Sequence, residues 1–190
     1  MNMKELATKN RSYRRFQESE PISAKQLEAL VELARLSASA GNLQPLKFIL
    51  SCEPVRNQTV FSCLAWESFI RGAPGPAEGR RPAAYIVILG DTSITKGFSC
   101  DHGIAAQSIL FGAVEMGFGG NMFADIDRQK LAASLKIPDQ YEILLVIALG
   151  MPRERIVITD AVKGEIAYWQ DINGVHRVPI RGLNEIILNL

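Results

Sequence analysis

Residues 101–116, DHGIAAQSILFGAVEM, are spaced as a helix yet carry apolar or small side chains on nearly every side. Ile104, Ala105, Ile109, Leu110, Phe111, Ala113 and Val114 cannot all face one layer, because a helix with a single buried stripe keeps its remaining faces polar. Such a segment belongs at the centre of the fold or of an assembly. Its small residues, Ala105, Ala106, Gly112 and Ala113, let another backbone come close. Asp101 is expected to cap the start of this helix.

Two apolar runs of strand length flank it, 83–90 (AAYIVILG) and 142–150 (EILLVIALG), the pattern of strands covered on both faces. Ser23 followed by Gln26 is a capping-box signature, and Leu27, Leu30, Val31, Ala34 and Arg35 follow at helical spacing. Residues 47–50 and 121–123 read as further strands, 55–64 and 127–135 as helices, and 171–174 as a hairpin turn. Residues 71–82 hold three Gly and three Pro, so they form a loop, a candidate lid over a site. Helices interleaved with few strands give a three-layer sandwich, α/β or α+β. At 190 residues the chain suits one compact domain.

Composition removes several function classes. The net charge of +1 comes without a long basic or acidic run, so neither nucleic acid nor an anionic membrane surface is expected as a partner. The longest apolar run, 143–149, is too short to span a bilayer, and residues 1–10 lack the apolar core of a signal peptide, so a cytoplasmic protein is expected. Cys52, Cys63 and Cys100 form no CxxC pair, and His102 and His176 lie far apart, so no metal site is expected and the thiols read as reduced and buried.

Four groups of residues could carry chemistry. Arg11-Ser12-Tyr13-Arg14-Arg15-Phe16 puts three guanidinium forks and a hydroxyl within five residues, suited to a phosphate or an anionic ring edge, or else a solvated basic turn. Ser37-Ala38-Ser39-Ala40-Gly41-Asn42-Leu43-Gln44-Pro45 joins small residues that admit a planar ligand to two amides that donate and accept, or else is an ordinary helix end. Residues 117–121, with Gly119 and Gly120, are a phosphate nest, a close approach to a ring, or a glycine cap before a strand. Arg153, Arg155 and Arg181 are late cations that could return to a phosphate or remain solvated. GxGxxG, GxxxxGK[ST] and GxSxG are all absent. A chain with binding groups but no acid–base set suits an organic cofactor that carries the chemistry itself.

In order and spacing, four segments resemble the nitroreductase family of flavin mononucleotide (FMN) enzymes: 11–16 its basic RRSxRxF element, 37–48 its small-residue and NxQPxxF element, 101–107 with 117–119 its central helix and glycine turn, and 145–152 its last core strand. The resemblance implies an α+β three-layer sandwich, a mixed, mainly antiparallel sheet flanked by helices, in a domain-interlocked homodimer. It implies a single domain over 1–190, with 151–190 an extended C-terminal segment packed on the partner subunit. Arg11 and Ser12, beside Tyr13 and Arg15, would hold the phosphate, with Arg181 clamping it. Arg14 would reach the pyrimidine edge of the flavin. Ser37, Ser39, Asn42 and Gln44 would contact the ring, some from the partner, and Gly119 and Gly120 would lie near it. Trp66 and Phe69 would shape the substrate pocket.

The resemblance further implies ping-pong transfer of two electrons through flavin N5, from NADH or NADPH to a nitroaromatic, quinone or similar acceptor. No protein side chain would be catalytic. The alternatives are reductive dehalogenation or flavin fragmentation on the same scaffold, or a flavin-binding sensor without turnover. Three departures stand out. Asn10 replaces a usual arginine, Ala38-Ser39-Ala40-Gly41 replaces Pro-Ser-Ser/Ala, and 156–178 exceeds the family's short link.

Overall fold

The computed structural model describes residues 1–66 and 75–188 and divides into two compact units, Met1–Pro152 and Arg153–Leu190. In the first unit the chain runs through α1 (Met3–Lys9), β1 (Phe16–Gln17), α2 (Ala24–Arg35), β2 (Leu46–Ser51), α3 (Pro54–Phe61), β3 (Ala84–Asp91), α4 (Asp101–Glu115), β4 (Gly119–Phe123), α5 (Arg128–Leu135) and β5 (Tyr141–Pro152). The strands form one antiparallel sheet in the order β1-β5-β3-β2, with β4 also paired to β5.

The two apolar runs are its two central strands, β3 and β5, each covered on both faces. Ala84, Ile86 and Ile88 of β3 enter one apolar cluster, with Leu27 and Leu30 of α2 and Ile109 and Leu110 of α4. The alternate residues Tyr85, Val87 and Leu89 enter a second cluster, with Val60 of α3 and Leu131 of α5. This is the period-two alternation of a strand between two layers. A register shift between Ile88 and Leu89 skips Leu144 on β5, so Ile143 joins Val146 and Ala148 in the second cluster despite its odd position. The layers are therefore α2 and α4, the sheet, then α3 and α5: the α+β sandwich expected.

Helix α2 begins where the capping box placed it, with Ser23 and Gln26 bonded reciprocally. It packs on α4 because Gly112 leaves room: a Cβ there would lie 3.0 Å from Leu30 Cδ2. Helix α4 is enclosed along Ala105, Ala106, Ile109 and Ala113, while Ile104, 40% exposed, stands on an uncovered face. Asp101 does not cap it. Cys100 is the N-cap residue and no side chain caps the helix, for the Asp101 carboxylate is engaged by another segment. The thiols also differ from expectation: Cys63 is buried and Cys52 half-buried, but Cys100 is exposed because it precedes α4 at the surface.

The second unit holds β6 (Ile156–Asp160), β7 (Trp169–Gln170), β8 (His176–Ile180) and the short α6 (Leu183–Ile186). Strand β8 pairs parallel with β6 and antiparallel with β7. The β7–β8 connection is the expected turn at 171–174, pinned by Asp171, whose carboxylate accepts from the amides of Asn173 and Val175 and from Arg177 Nε. Leu183, Ile186, Ile187 and Leu188 are exposed. Among the described residues, no helix is long and apolar enough to cross a membrane.

Candidate functional site

Ser12 bridges to Gly120, and the Tyr13 amide donates to the Gly120 carbonyl at 3.0 Å, so the basic segment runs beside the start of β4. The two glycines make this possible. A Cβ on Gly119 would lie 2.5 Å from the Tyr13 ring and 2.8 Å from Pro152, and one on Gly120 would lie 2.5 Å from Leu110 Cδ2 and 2.8 Å from the Ala148 carbonyl. The first and third groups of the sequence are thus one structure, and packing alone already demands both glycines. Buried Phe16 anchors the far end of the segment in β1, leaving the Ser12 and Arg15 side chains exposed and Arg14 half-buried.

Arg11 folds back on α1. Its guanidinium donates to the carbonyls of Ala7, at 3.0 Å, and Asn10. A cation at a helix C-terminus is favoured by the carbonyls left unpaired there. Arg11 therefore steadies the turn that presents Ser12 and Arg14.

The amide-rich group is built on α4. Ser39 Oγ donates to Asp101 Oδ2 at 2.6 Å, and the Ala40 amide to Asp101 Oδ1 at 3.0 Å. Ser39 Oγ in turn accepts the Gln44 amide at 2.9 Å, and the Ser37 and Ser108 hydroxyls share a bond of 2.7 Å. Between these anchors the backbone turns left-handed at Gly41 (φ 58°), Asn42 (φ 54°) and Gln44 (φ 51°). Left-handed backbone at non-glycine residues concentrates where function demands a particular shape. The Asn42 and Gln44 side chains are exposed and linked, Gln44 Nε2 donating to Asn42 Oδ1 at 3.1 Å. A cavity of about 290 Å³ opens beside the loop, between Ala34, Ser39, Gln44, Phe48, Asp101 and Ala105.

The two halves stand apart on α4. Asp101 holds the amide loop in its first turn, while Leu110, against Gly120, lies nine residues further on. Nine residues are two and a half turns, so the two contacts fall on opposite sides of the helix and about 13 Å apart along it.

Trp66 packs between Phe61 and Phe123, at ring distances of 5.1 and 4.6 Å, and gives its indole N–H to the Phe61 carbonyl. That placement makes it part of the second apolar layer. Phe69 and residues 71–74 of the proposed lid lie outside the described residues. Arg181 is exposed in the second unit, between β8 and α6, as are Arg153 and Arg155. Among the described residues no His, Cys, Asp and Glu group could hold a metal.

Sequence reasoning missed two carboxylates. Asp101 read as a helix cap. Glu18, at the turn after β1, receives the amides of Gly79 and Arg81, at 2.5 and 3.2 Å. Nearby Tyr85 is buried, and that burial, reinforced by the Glu18 carboxylate, holds its phenol protonated far above the usual range. Neither carboxylate sits in a recognisable motif, and only long-range folding supplies its partners.

The chain is similar to known proteins over most of its length. The model described as "Nitroreductase family" matches residues 7–151. A protein of Archaeoglobus fulgidus, whose name pairs NADH dehydrogenase with NAD(P)H nitroreductase, is 28% identical over 141 residues, 70% of this chain and 76% of that protein. A nitroreductase family protein of Streptococcus pneumoniae superposes over 100% of both chains with a TM-score of 0.74 at 17% identity. An FMN-dependent nitroreductase of Clostridium difficile superposes over 80% of this chain and 89% of its own with a TM-score of 0.67 at 21% identity. At these identities the two structures establish the fold.

Proposed function

Because this chain belongs to the nitroreductase family, we propose that it is an FMN-binding oxidoreductase that carries two electrons from NADH or NADPH to a nitroaromatic, quinone or similar electron-poor acceptor. The observation that carries this reading is the pair of prepared binding segments, a cationic one along β4 and an amide-rich one on α4, whose donor sets suit the two ends of FMN. Bound there, FMN would supply the redox chemistry by accepting two electrons at N5 and returning them to the second substrate.

The chain's own residues bind and orient. Ser12 and Arg15 offer a hydroxyl and a cation to the phosphate, Arg11 steadies the turn that presents Ser12, and the resemblance alone adds Arg181. Arg14, half-buried beside Ser12, would offer its guanidinium to the pyrimidine edge, where a cation would favour the anionic reduced ring. Asn42 and Gln44 offer amides to the ring's donors and acceptors, and Ser37 and Ser39 hold the loop that carries them, through Ser108 and Asp101. Gly119 and Gly120 keep β4 low enough for the basic segment to lie across it. The resemblance assigns Trp66 and Phe69 to the substrate pocket; Trp66 packs between Phe61 and Phe123, and Phe69 lies outside the described residues.

The separation of the two halves on α4 favours a homodimer. A two-fold interface through the uncovered face at Ile104, Gln107 and Phe111 would bring one subunit's amide loop towards the other's basic segment, which one chain alone does not do. Residues 151–190 would pack on the partner subunit as part of one interlocked domain, covering the exposed Leu183, Ile186, Ile187 and Leu188.

The visible spectrum of the purified protein tests the cofactor: bound FMN gives the bands of oxidised flavin, and a colourless protein that ignores added FMN refutes the reading. Bleaching by NADH or NADPH followed by recovery with a nitroaromatic or quinone tests turnover. Bound flavin that neither nucleotide reduces would identify a sensor, and product analysis would reveal dehalogenation or flavin fragmentation.

A further inference from the structure

We propose that Asp101 is a positioning residue for the amide-rich loop, acting through Ser39 to set how tightly FMN is held and at what potential it works. The inference rests on the reading of that loop as part of the FMN site.

Asp101 is 4% exposed in the first turn of α4, where a carboxylate would ordinarily cap the helix. It faces the loop instead, and both its oxygens receive donors from there: Ser39 Oγ at 2.6 Å and the Ala40 amide at 3.0 Å. Hydrogen bonds to an ionised acceptor are among the stronger ones, and a buried carboxylate requires them.

The bonds have a fixed direction. Ser39 has one hydroxyl proton and commits it to Asp101, so its oxygen accepts from the Gln44 amide, 2.9 Å away. Asp101, Ser39 and Gln44 therefore form a chain that ties the two ends of the loop together across the left-handed residues Gly41 and Asn42. Gln44 continues it, donating from Nε2 to the Asn42 carbonyl and to Oδ1, at 3.3 and 3.1 Å. The amides that would face the flavin thus take their orientation from a carboxylate on another element.

Four variants of the FMN-loaded protein test this: Asp101→Asn, Ser39→Ala, the double variant, and Ser39→Thr. Asparagine keeps the shape but exchanges one acceptor oxygen for a donor, so the polarity of the chain breaks. Ser39 has extended backbone (φ −130°, ψ 140°), which a threonine adopts readily while keeping the hydroxyl. The readouts are the FMN dissociation constant, the visible absorption bands and the midpoint potential of the bound flavin. Asp101→Asn and Ser39→Ala should each weaken FMN binding by about tenfold and shift bands and potential in the same direction. The double variant should be no worse than the worse single one, because both cuts fall in one chain. Ser39→Thr should behave like the parent.

An Asp101→Asn protein with the parent's affinity, bands and potential overturns the proposal, as do effects that add in the double variant. Should Asp101→Asn fail to fold, Ser39→Ala decides, since it leaves the Asp101–Ala40 bond in place; unchanged flavin properties there refute the role. A parent protein that never takes up FMN defeats the underlying reading instead. In that case amide exchange at Gln44, expected to accelerate in Ser39→Ala, still measures the clamp, and no acceleration rejects it.

Discussion

The Tyr13 amide donates to the Gly120 carbonyl at 3.0 Å, and the Tyr13 ring fills the space a side chain on Gly119 would take. The position of the basic segment is thereby set by the glycines that follow α4. Gly119→Ala should displace Tyr13 at a cost of about 1–3 kcal/mol. Thermal melting and FMN titration of the same sample check it: stability and affinity should fall together, and an unchanged melt would show that the ring moves aside freely.

Arg14→Ala should weaken FMN about tenfold or lower its midpoint potential, through loss of a charge-assisted bond. Arg14→Lys should recover part of the potential, which follows charge, and less of the affinity, which follows the fork. Spectroelectrochemical titration measures both, and parental values in Arg14→Ala would remove this residue from the site.

A charge on the uncovered face of α4 should break the proposed dimer. Ile104→Glu replaces a 40%-exposed apolar residue with one that solvent accommodates in the monomer but an apolar interface does not. Sedimentation should show halved mass, with bound FMN lost in parallel. A monomeric parent, or a dimeric variant that retains flavin, contradicts this arrangement.

The β7–β8 turn should loosen in acid. Asp171 titrates below the usual aspartate range, chiefly because its carboxylate accepts the Val175 amide, with help from Arg177 and the Asn173 amide. A depressed carboxylate contributes its stability fully above the unfolded value near ~4 and loses it as pH falls through the lower folded value. Amide exchange at Val175 should therefore accelerate below about pH 4, referenced to the known acid dependence of exchange. Asp171→Asn should exchange faster at neutral pH and lack the added acid step.

Much of the layered core was legible because it depends on local periodicity. Residues 83–90 and 142–150 carry the pattern of strands covered on both faces, and Ser23 with Gln26 located the start of α2 almost to the residue. Helix α4, apolar on nearly every side, reads as central, but in the chain it lies in an outer layer with Ile104 on an uncovered face. Asp101 was misread because its neighbours in sequence say cap, while its partners Ser39 and Ala40 lie about sixty residues earlier. The skipped Leu144 was invisible too, since a bulge answers to the pairing partner and leaves no mark in an unbroken apolar run.

The sequence by itself determined the inventory: which stretches are helix or strand, where guanidiniums, amides and glycines cluster, and which family's order they follow. These features are written in hydrogen-bonding capacity and side-chain spacing, which act over a few residues. Tertiary structure alone decided their combination. It seated the basic segment on β4, the amide loop on the Asp101 carboxylate, and the two on opposite sides of α4. Those relations depend on which distant surfaces bury each other, and no local pattern encodes that choice.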